Sequence, residues 1–362
     1  MLKSIKLKNV TKKYKSVIAV NNLNLEVKKD ELFCLLGPSG CGKTTTLRMI
    51  AGFVYPTIGE IFIWGKNVTA LPPHKRDIGM VFQDYALFPH MTVSENVAFG
   101  LKMRKVSKEK IKEKVDKYLR IVGLENLKNR LPRHLSGGQQ QRIALVRALI
   151  IEPDILLCDE PLSNLDAKLR KQMRLEIRKI QREFSITTIF VTHDQEEALT
   201  IADRIGVMEN GTIVQCGSGE EIYNFPKNRF VADFIGISNF FTGEITTESN
   251  GYSFLIVDKI KIKLGVIAKE NIPKNKEAEI IVRPEKISII KNLSSPQSGE
   301  NNFFSGKMTN INRLGSVIEC KVKIEGCQDV IIHYQENNQT LSFKENDSVF
   351  IMWKPKDCVL IS

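Results

Sequence analysis

Three runs in the first 235 residues are apolar almost without a break: ELFCLLG at 31–37, ILLCD at 155–159 and TTIFVT at 187–192. Short runs that are apolar on both faces and end at Gly or a polar residue are the pattern of strands buried inside a parallel sheet. After the second run, Leu165, Leu169, Met173, Ile177 and Phe184 recur mostly at four-residue steps among Lys, Arg and Glu. That spacing draws one apolar stripe along a helix. TTLRMIAG at 45–52 also reads as helical. Buried strands separated by amphipathic helices predict an α/β domain with helices on both faces. The segments LKSIKLKNV, AVNNLNLEV and GEIFIWG alternate apolar with polar residues, as half-buried antiparallel strands do. They predict an antiparallel subdomain beside the parallel core, and the lysines of the first segment place it as an edge or surface strand.

Beyond VADFIGISNF at 231–240 the periodicity changes. FFTGEI, YSFLIV, IKIKLGVI, AEIIVR, KISII, FFSGKMTNI, SVIECKVKI, DVIIHY and SVFIMW are short β-favouring runs broken by Gly, Asn, Pro or Ser, with no amphipathic helix between them. An all-β barrel or sandwich follows. KNLSSPQSGENN at 291–302 has no period and reads as a loop between two halves of that unit. The expected organisation is therefore 1–235, with a helical subdomain at about 84–150, and 236–362.

Composition narrows the class. A chain of 362 residues with 42 % hydrophobic and 26 % charged residues is a well-packed protein, not a collagenous, disordered or disulfide-scaffold one. Its seven cysteines form no Cys-x-x-Cys, and Cys320 and Cys327 share a strand-like run, so a reducing compartment, the cytosol, is expected. No stretch approaches the ~18 apolar residues of a membrane span, so a membrane role would be peripheral or through a partner. The net charge of +12 falls almost wholly in residues 1–240, because residues 241–362 carry 16 Lys and Arg against 15 Asp and Glu. That near-neutral β unit argues against nucleic acid as a partner, since phosphate-backbone affinity needs clustered cations.

GPSGCGKTT at 37–45 follows a buried strand and opens a helix. This is the G-x-x-x-x-G-K-[S/T] phosphate loop in its required context. Gly37, Gly40 and Gly42 let the backbone curl so that the N–H groups from Ser39 to Thr45, Cys41 included, face an anion at a helix start. Lys43 then reaches the β- and γ-phosphates and the Thr44 hydroxyl can ligate Mg²⁺. Asp159 ends a buried strand where it can hold the metal, directly or through water, and Glu160 follows where it can accept a proton from, or orient, the attacking water. Cys41 is open to two readings, a thiolate favoured by Lys43 and the helix start or a protonated structural thiol.

LSGGQ at 135–139, followed by QQRIALVRALI, resembles the signature segment of ATP-binding cassette ATPases. Tyr14, Gln83, Asp166 within SNLD and His193 stand in the same order as that family's remaining motifs, and the fit extends over about 1–235. HKRDIGMVFQDYALFPHMTVSENVAFGL at 74–101 looks like the importer branch, and the β-rich tail is similar to that branch's regulatory, oligonucleotide-binding-like domain. The resemblance implies two copies sandwiching two ATP molecules, with Ser136, Gly137, Gly138 and Gln139 of one chain facing the γ-phosphate held by the other. It implies Gln83 at the metal and attacking water, His193 on the γ-phosphate positioning Glu160, Tyr14 stacked on adenine, and Asp166 against the opposite protomer. It further implies two membrane permeases, an extracytoplasmic solute-binding protein and a place on the cytoplasmic face of the membrane. Phe88 and Met91 are either apolar anchors for a permease or core of the helical subdomain. The texture of the chain points to a polyamine, ferric iron or phosphonate as cargo. A soluble cassette acting on nucleic acid or the ribosome is the alternative, although no coiled-coil insertion or second cassette is visible.

Overall fold

The computed structural model describes residues 3–247, 253–257, 260–265, 277–291, 301–325, 329–335 and 343–361. By contacts the chain divides into two compact units, Met1–Glu220 and Glu221–Ser362.

The first unit begins with β1 (Lys3–Tyr14) and β2 (Val17–Lys28), then β3 (Leu32–Leu36) and α1 (Lys43–Ala51). β4 (Ile58–Ile63), β5 (Lys66–Asn67) and β6 (Ile78–Val81) follow, leading into α2 (Val93–Met103), α3 (Lys108–Ile121) and α4 (Gly137–Leu149). β7 (Ile155–Asp159), α5 (Ala167–Glu183), β8 (Thr187–Thr192), α6 (Gln195–Ile201), β9 (Arg204–Glu209) and β10 (Thr212–Gly217) complete it. The six-stranded sheet has the order β10-β9-β3-β8-β7-β6, parallel except for β10. All residues of β3, β7 and β8 are buried, which is why those three runs are continuously apolar. In α5 the stripe buries Met173, Ile177 and Ile180, and Leu165 lies just ahead of the helix that Asp166 caps.

The antiparallel sheet has the order β2-β1-β4-β5. β1 is therefore not an edge strand; of the two alternatives its lysines predicted, a surface strand with one exposed face is what the structure has. It pairs with β2 on one side and β4 on the other, and Ile5, Leu7 and Val10 are fully buried. Alternation told correctly which face is wet but carries no information on lateral neighbours. Those side chains pack with Leu47, Met49 and Ile50 of α1 and with Leu157 and Ile189 of the larger sheet. The helix that starts at the phosphate loop is thus enclosed between two sheets.

The second unit carries α7 (Gly219–Asn224) at its start, α8 (Arg229–Phe234), and β11 (Asn239–Thr247), β12 (Ser253–Val257), β13 (Ile260–Lys263) and β14 (Glu277–Val282). Then come β15 (Ser288–Ile290), β16 (Asn302–Leu314), β17 (Val317–Ile324), β18 (Asp329–Gln335), β19 (Ser348–Trp353) and β20 (Val359–Ile361). Two five-stranded sheets, β13-β12-β11-β14-β20 and β15-β19-β16-β17-β18, share one core around Phe241, Trp353, Ile280 and Val322. The 291–302 segment does not divide the two sheets, because β15, which precedes it, joins the second sheet, and β20 returns to the first. Most of the 291–302 loop lies outside the described residues, as does Cys327. The unit starts at 221 whereas the change in periodicity falls near 235. Its first helices belong with it because Arg283 donates to the carbonyls of Tyr223, Ala232, Gly236 and Ile237.

Candidate nucleotide site

The loop between β3 and α1 turns at Gly40 and Gly42, with φ of 82° and 106°. At Gly42 a Cβ would also stand 2.4 Å from the Ala19 carbonyl oxygen, so the left-handed turn and the close approach both require glycine. The Lys43 Nζ donates to the Gly37 and Pro38 carbonyls at 2.7 and 2.9 Å, which holds the ammonium across the mouth of the loop. Thr44 Oγ1 donates to Asp159 Oδ1 at 3.0 Å, joining the start of α1 to the end of β7. Burial raises the Asp159 pKa above the usual carboxylate range, against the pull of the Thr44 hydrogen bond, Arg48 and Lys43. A hydroxyl and a carboxylate beside a phosphate loop are the hard oxygen donors suited to Mg²⁺, which is usually held by one or two carboxylates together with substrate phosphates. Among the described residues there is no cluster of three or more His, Cys, Asp or Glu to bind a metal by protein groups alone.

Glu160 follows with φ of 44°, its N–H donating to the Val191 carbonyl. This turn swings its carboxylate to 3.1 Å from Nδ1 of His193, at the end of the neighbouring strand β8. The Gln83 carbonyl accepts from the Asn164 side chain at 2.8 Å, tying the segment after β6 to the SNLD loop. Asp166 caps α5 by accepting from Leu169 N. Tyr14 is 46 % exposed at the end of β1, with the Lys12 ammonium 4.9 Å from its ring centre.

Ser136 and Gln139 form a capping box at the start of α4: the Ser136 Oγ accepts from Gln139 N, and Gln139 Oε1 accepts from Ser136 N. Among the described residues neither side chain hydrogen-bonds to the phosphate loop, Asp159 or Glu160 of its own chain. Gly138 is buried against Leu169, and a Cβ there would stand 2.7 Å from a Leu169 methyl. A side chain there would oblige Leu169 to shift. Cys41 is buried, and burial raises its pKa despite the opposing pull of Lys43, which favours the structural thiol of the two readings. The Cys158 thiol is likewise pushed up to about 12 by burial inside β7. Phe88 packs on Phe99 of α2 at 4.6 Å between ring centres, so at least part of its surface serves the subdomain core.

Sequence patterns did not flag Asn164, Arg76, Asn96 or Arg147. Each works through backbone carbonyls or amides, which every residue carries, so no motif marks it.

Two family models match, ABC transporter over residues 20–163 and TOBE domain over 280–361. The chain is 43 % identical over 360 residues to the spermidine/putrescine import ATP-binding protein PotA of Trichormus variabilis, covering 99 % of this chain and 93 % of that one. The chain belongs to the ATP-binding subunits of ABC transporters. It is an importer-type ATPase with a P-loop core and a carboxyl-terminal all-β TOBE domain. The Fe(3+) ions import ATP-binding protein FbpC of Fusobacterium nucleatum subsp. nucleatum is 51 % identical over 289 residues, 80 % of this chain and 76 % of that one. Among solved structures, an ATP-binding cassette in a dimeric post-hydrolysis state bound to ADP and Pi is similar with a TM-score of 0.54 and 36 % identity, over 59 % of this chain and 98 % of that one. No helix among the described residues of this ABC ATPase is long and apolar enough to cross a membrane.

Proposed function

We propose that two copies of the chain meet head to tail, each ATP lying between the phosphate loop of one and the α4 start of the other. The observation that carries this reading is the separation of two anion-binding helix starts within one chain, the Lys43 loop and the Ser136 capping box, with no hydrogen bond between them among the described residues. Lys43 and the loop N–H groups from Gly37 to Thr45 bind the β- and γ-phosphates of one nucleotide. Ser136, Gly137 and Gly138 of the other chain, braced by Gln139, present N–H groups to its γ-phosphate, and Asp166 meets the opposite protomer. Tyr14 supplies an exposed aromatic face for adenine. Thr44, Asp159 and Gln83 are the residues that would hold Mg²⁺, which supplies neutralisation of phosphate charge when bound.

Glu160 takes the proton of the attacking water, while His193, 3.1 Å from its carboxylate, orients it and hydrogen-bonds the γ-phosphate. Gln83 links this chemistry to the helical subdomain, through which two membrane permeases are driven on the cytoplasmic face of the membrane, supplied by a solute-binding protein. Polyamine is the proposed cargo, because relatives named for spermidine and putrescine import align over 98–99 % of this chain. Ferric iron is the second reading, from the Fe(3+) relative.

The shared-site geometry is tested by mixing a Lys43→Ala chain with a Ser136→Arg chain in the assembled transporter. The mixed dimer holds one site with both lesions and one with neither, so ATPase activity returns on mixing. No recovery, together with full activity from a monomeric species, refutes it. Cargo is tested by uptake of radiolabelled spermidine and of ferric iron in cells lacking the chain. Loss of iron uptake alone replaces the polyamine assignment.

A further inference from the structure

The segment from Gln83 to Phe88 is held at three points, and each clamp comes from a different element. Asn164 holds the Gln83 carbonyl, and the fully buried Asn96 of α2 bonds to both N–H and C=O of Phe88. Between them, Arg147 donates from Nη1 to the Ala86 carbonyl at 2.6 Å and from Nη2 to the Tyr85 carbonyl at 2.8 Å. Its guanidinium also stands 5.6 Å from the centre of the Phe88 ring. Both accepting residues have left-handed backbones, with φ of 62° and 45°, and neither is glycine. Such a conformation persists only where the surroundings impose it. The planar fork of Arg147 meets both carbonyls at once, a geometry a lysine cannot reproduce.

Arg147 lies on α4, the helix whose first turn carries Ser136, Gly137 and Gly138. At 1.5 Å per residue, Gly137 and Arg147 are about 15 Å apart along one continuous helix. A displacement of the α4 start therefore reaches the 83–88 segment through a rigid rod and two short hydrogen bonds. Asn164 and Asn96 are not on α4 itself, one being in the SNLD loop and the other on α2, which packs against α4.

We propose that Arg147 is a positioning residue that makes the Gln83–Phe88 segment follow the signature helix, so that engagement of α4 with nucleotide sets the place of Gln83. This rests on the shared-site reading above.

The test is hydrogen exchange on the full chain in a Glu160→Gln background, with and without Mg-ATP, for the parent and for Arg147→Ala. In the parent, ATP protects the amides of both 37–45 and 83–91. In Arg147→Ala the first response is kept, while that at 83–91 falls by about threefold or more, and in the Glu160 chain with permeases kcat falls about tenfold with KM within about threefold. Arg147→Lys, which keeps the charge but loses the fork, gives an intermediate response and serves alone if the alanine variant does not fold. A parent-like response at 83–91 in a folded variant overturns the proposal. So does loss of the 37–45 response in both variants, which would assign Arg147 to nucleotide binding or the fold. Absence of any ATP response at 37–45 in the parent would instead count against the nucleotide-site reading.

Discussion

Arg76 offers the sharpest test of how the phosphate-loop helix is held. Its side chain is buried and donates four kinds of contact to backbone: Nη1 to the Met49 and Ile50 carbonyls at 2.8 Å each, Nε to Leu71 at 2.8 Å and Nη2 to Thr69 at 3.1 Å. Met49 and Ile50 are in the last turn of α1, where helix carbonyls run out of intrahelical donors; the Met49 carbonyl also accepts from the Gly52 N–H at the helix end, so Arg76 matters most for Ile50, Leu71 and Thr69. A cation there also opposes the negative end of the helix dipole. Arg76→Ala leaves these carbonyls facing a cavity. Each buried acceptor left without a donor costs about 1–3 kcal/mol, and water entering the space recovers part of it, so the expected loss is about 3–5 kcal/mol. For a unit of this size a kilocalorie corresponds to about 2–4 °C, giving a fall in Tm of roughly 6–20 °C. Arg76→Lys, whose single ammonium satisfies fewer of the four acceptors, loses about half as much. Differential scanning calorimetry of the purified chain follows the transition of the first unit. A folded, monodisperse Arg76→Ala protein with Tm within about 2 °C of wild type refutes the account, because the carbonyls would then have found other partners.

Glu160→Gln preserves shape at the His193 contact and removes the proposed proton acceptor, so single-turnover hydrolysis is expected to fall by about 10²-fold or more while equilibrium ATP binding is retained. Lys43→Ala leaves the loop backbone but removes its ammonium, and ATP affinity measured by titration falls by about tenfold or more; unchanged binding and turnover would misplace the phosphate site. Asp159→Asn raises Tm at pH 7 while suppressing Mg²⁺-dependent hydrolysis, because burial puts the folded Asp159 pKa above its unfolded value. The sign follows from that direction: the proton-bound form stabilises the fold below the unfolded pKa, and this stability is lost as pH rises through the folded pKa. The Tm gap between Asp159→Asn and wild type therefore widens upward through the acid range and is level at neutral pH, and a gap that shrinks would contradict it.

What the sequence determined by itself is the chemistry that lies in contiguous residues. GPSGCGKTT contains its own turn glycines, cation and hydroxyl, so strand, loop and helix start were readable without neighbours. ILLCD and TTIFVT were legible as strands because a run buried on both faces must be apolar throughout, and their bounds match β7 and β8. Among the described residues each of the nine β-favouring runs overlaps a strand for the same reason of local patterning, although IKIKLGVI and KISII are strand over only part of their length. Tertiary structure alone decided lateral order and long-range polar contact. Nothing within LKSIKLKNV says that a strand will lie on each side of it, and a three-residue strand such as Val359–Ile361 is too short to show a period. The pairing of β20 with β14, or of Arg76 with the end of α1, joins positions far apart in the chain. Such contacts leave no spacing signature, because the acceptor is a carbonyl that every residue carries and only the fold selects which one is met.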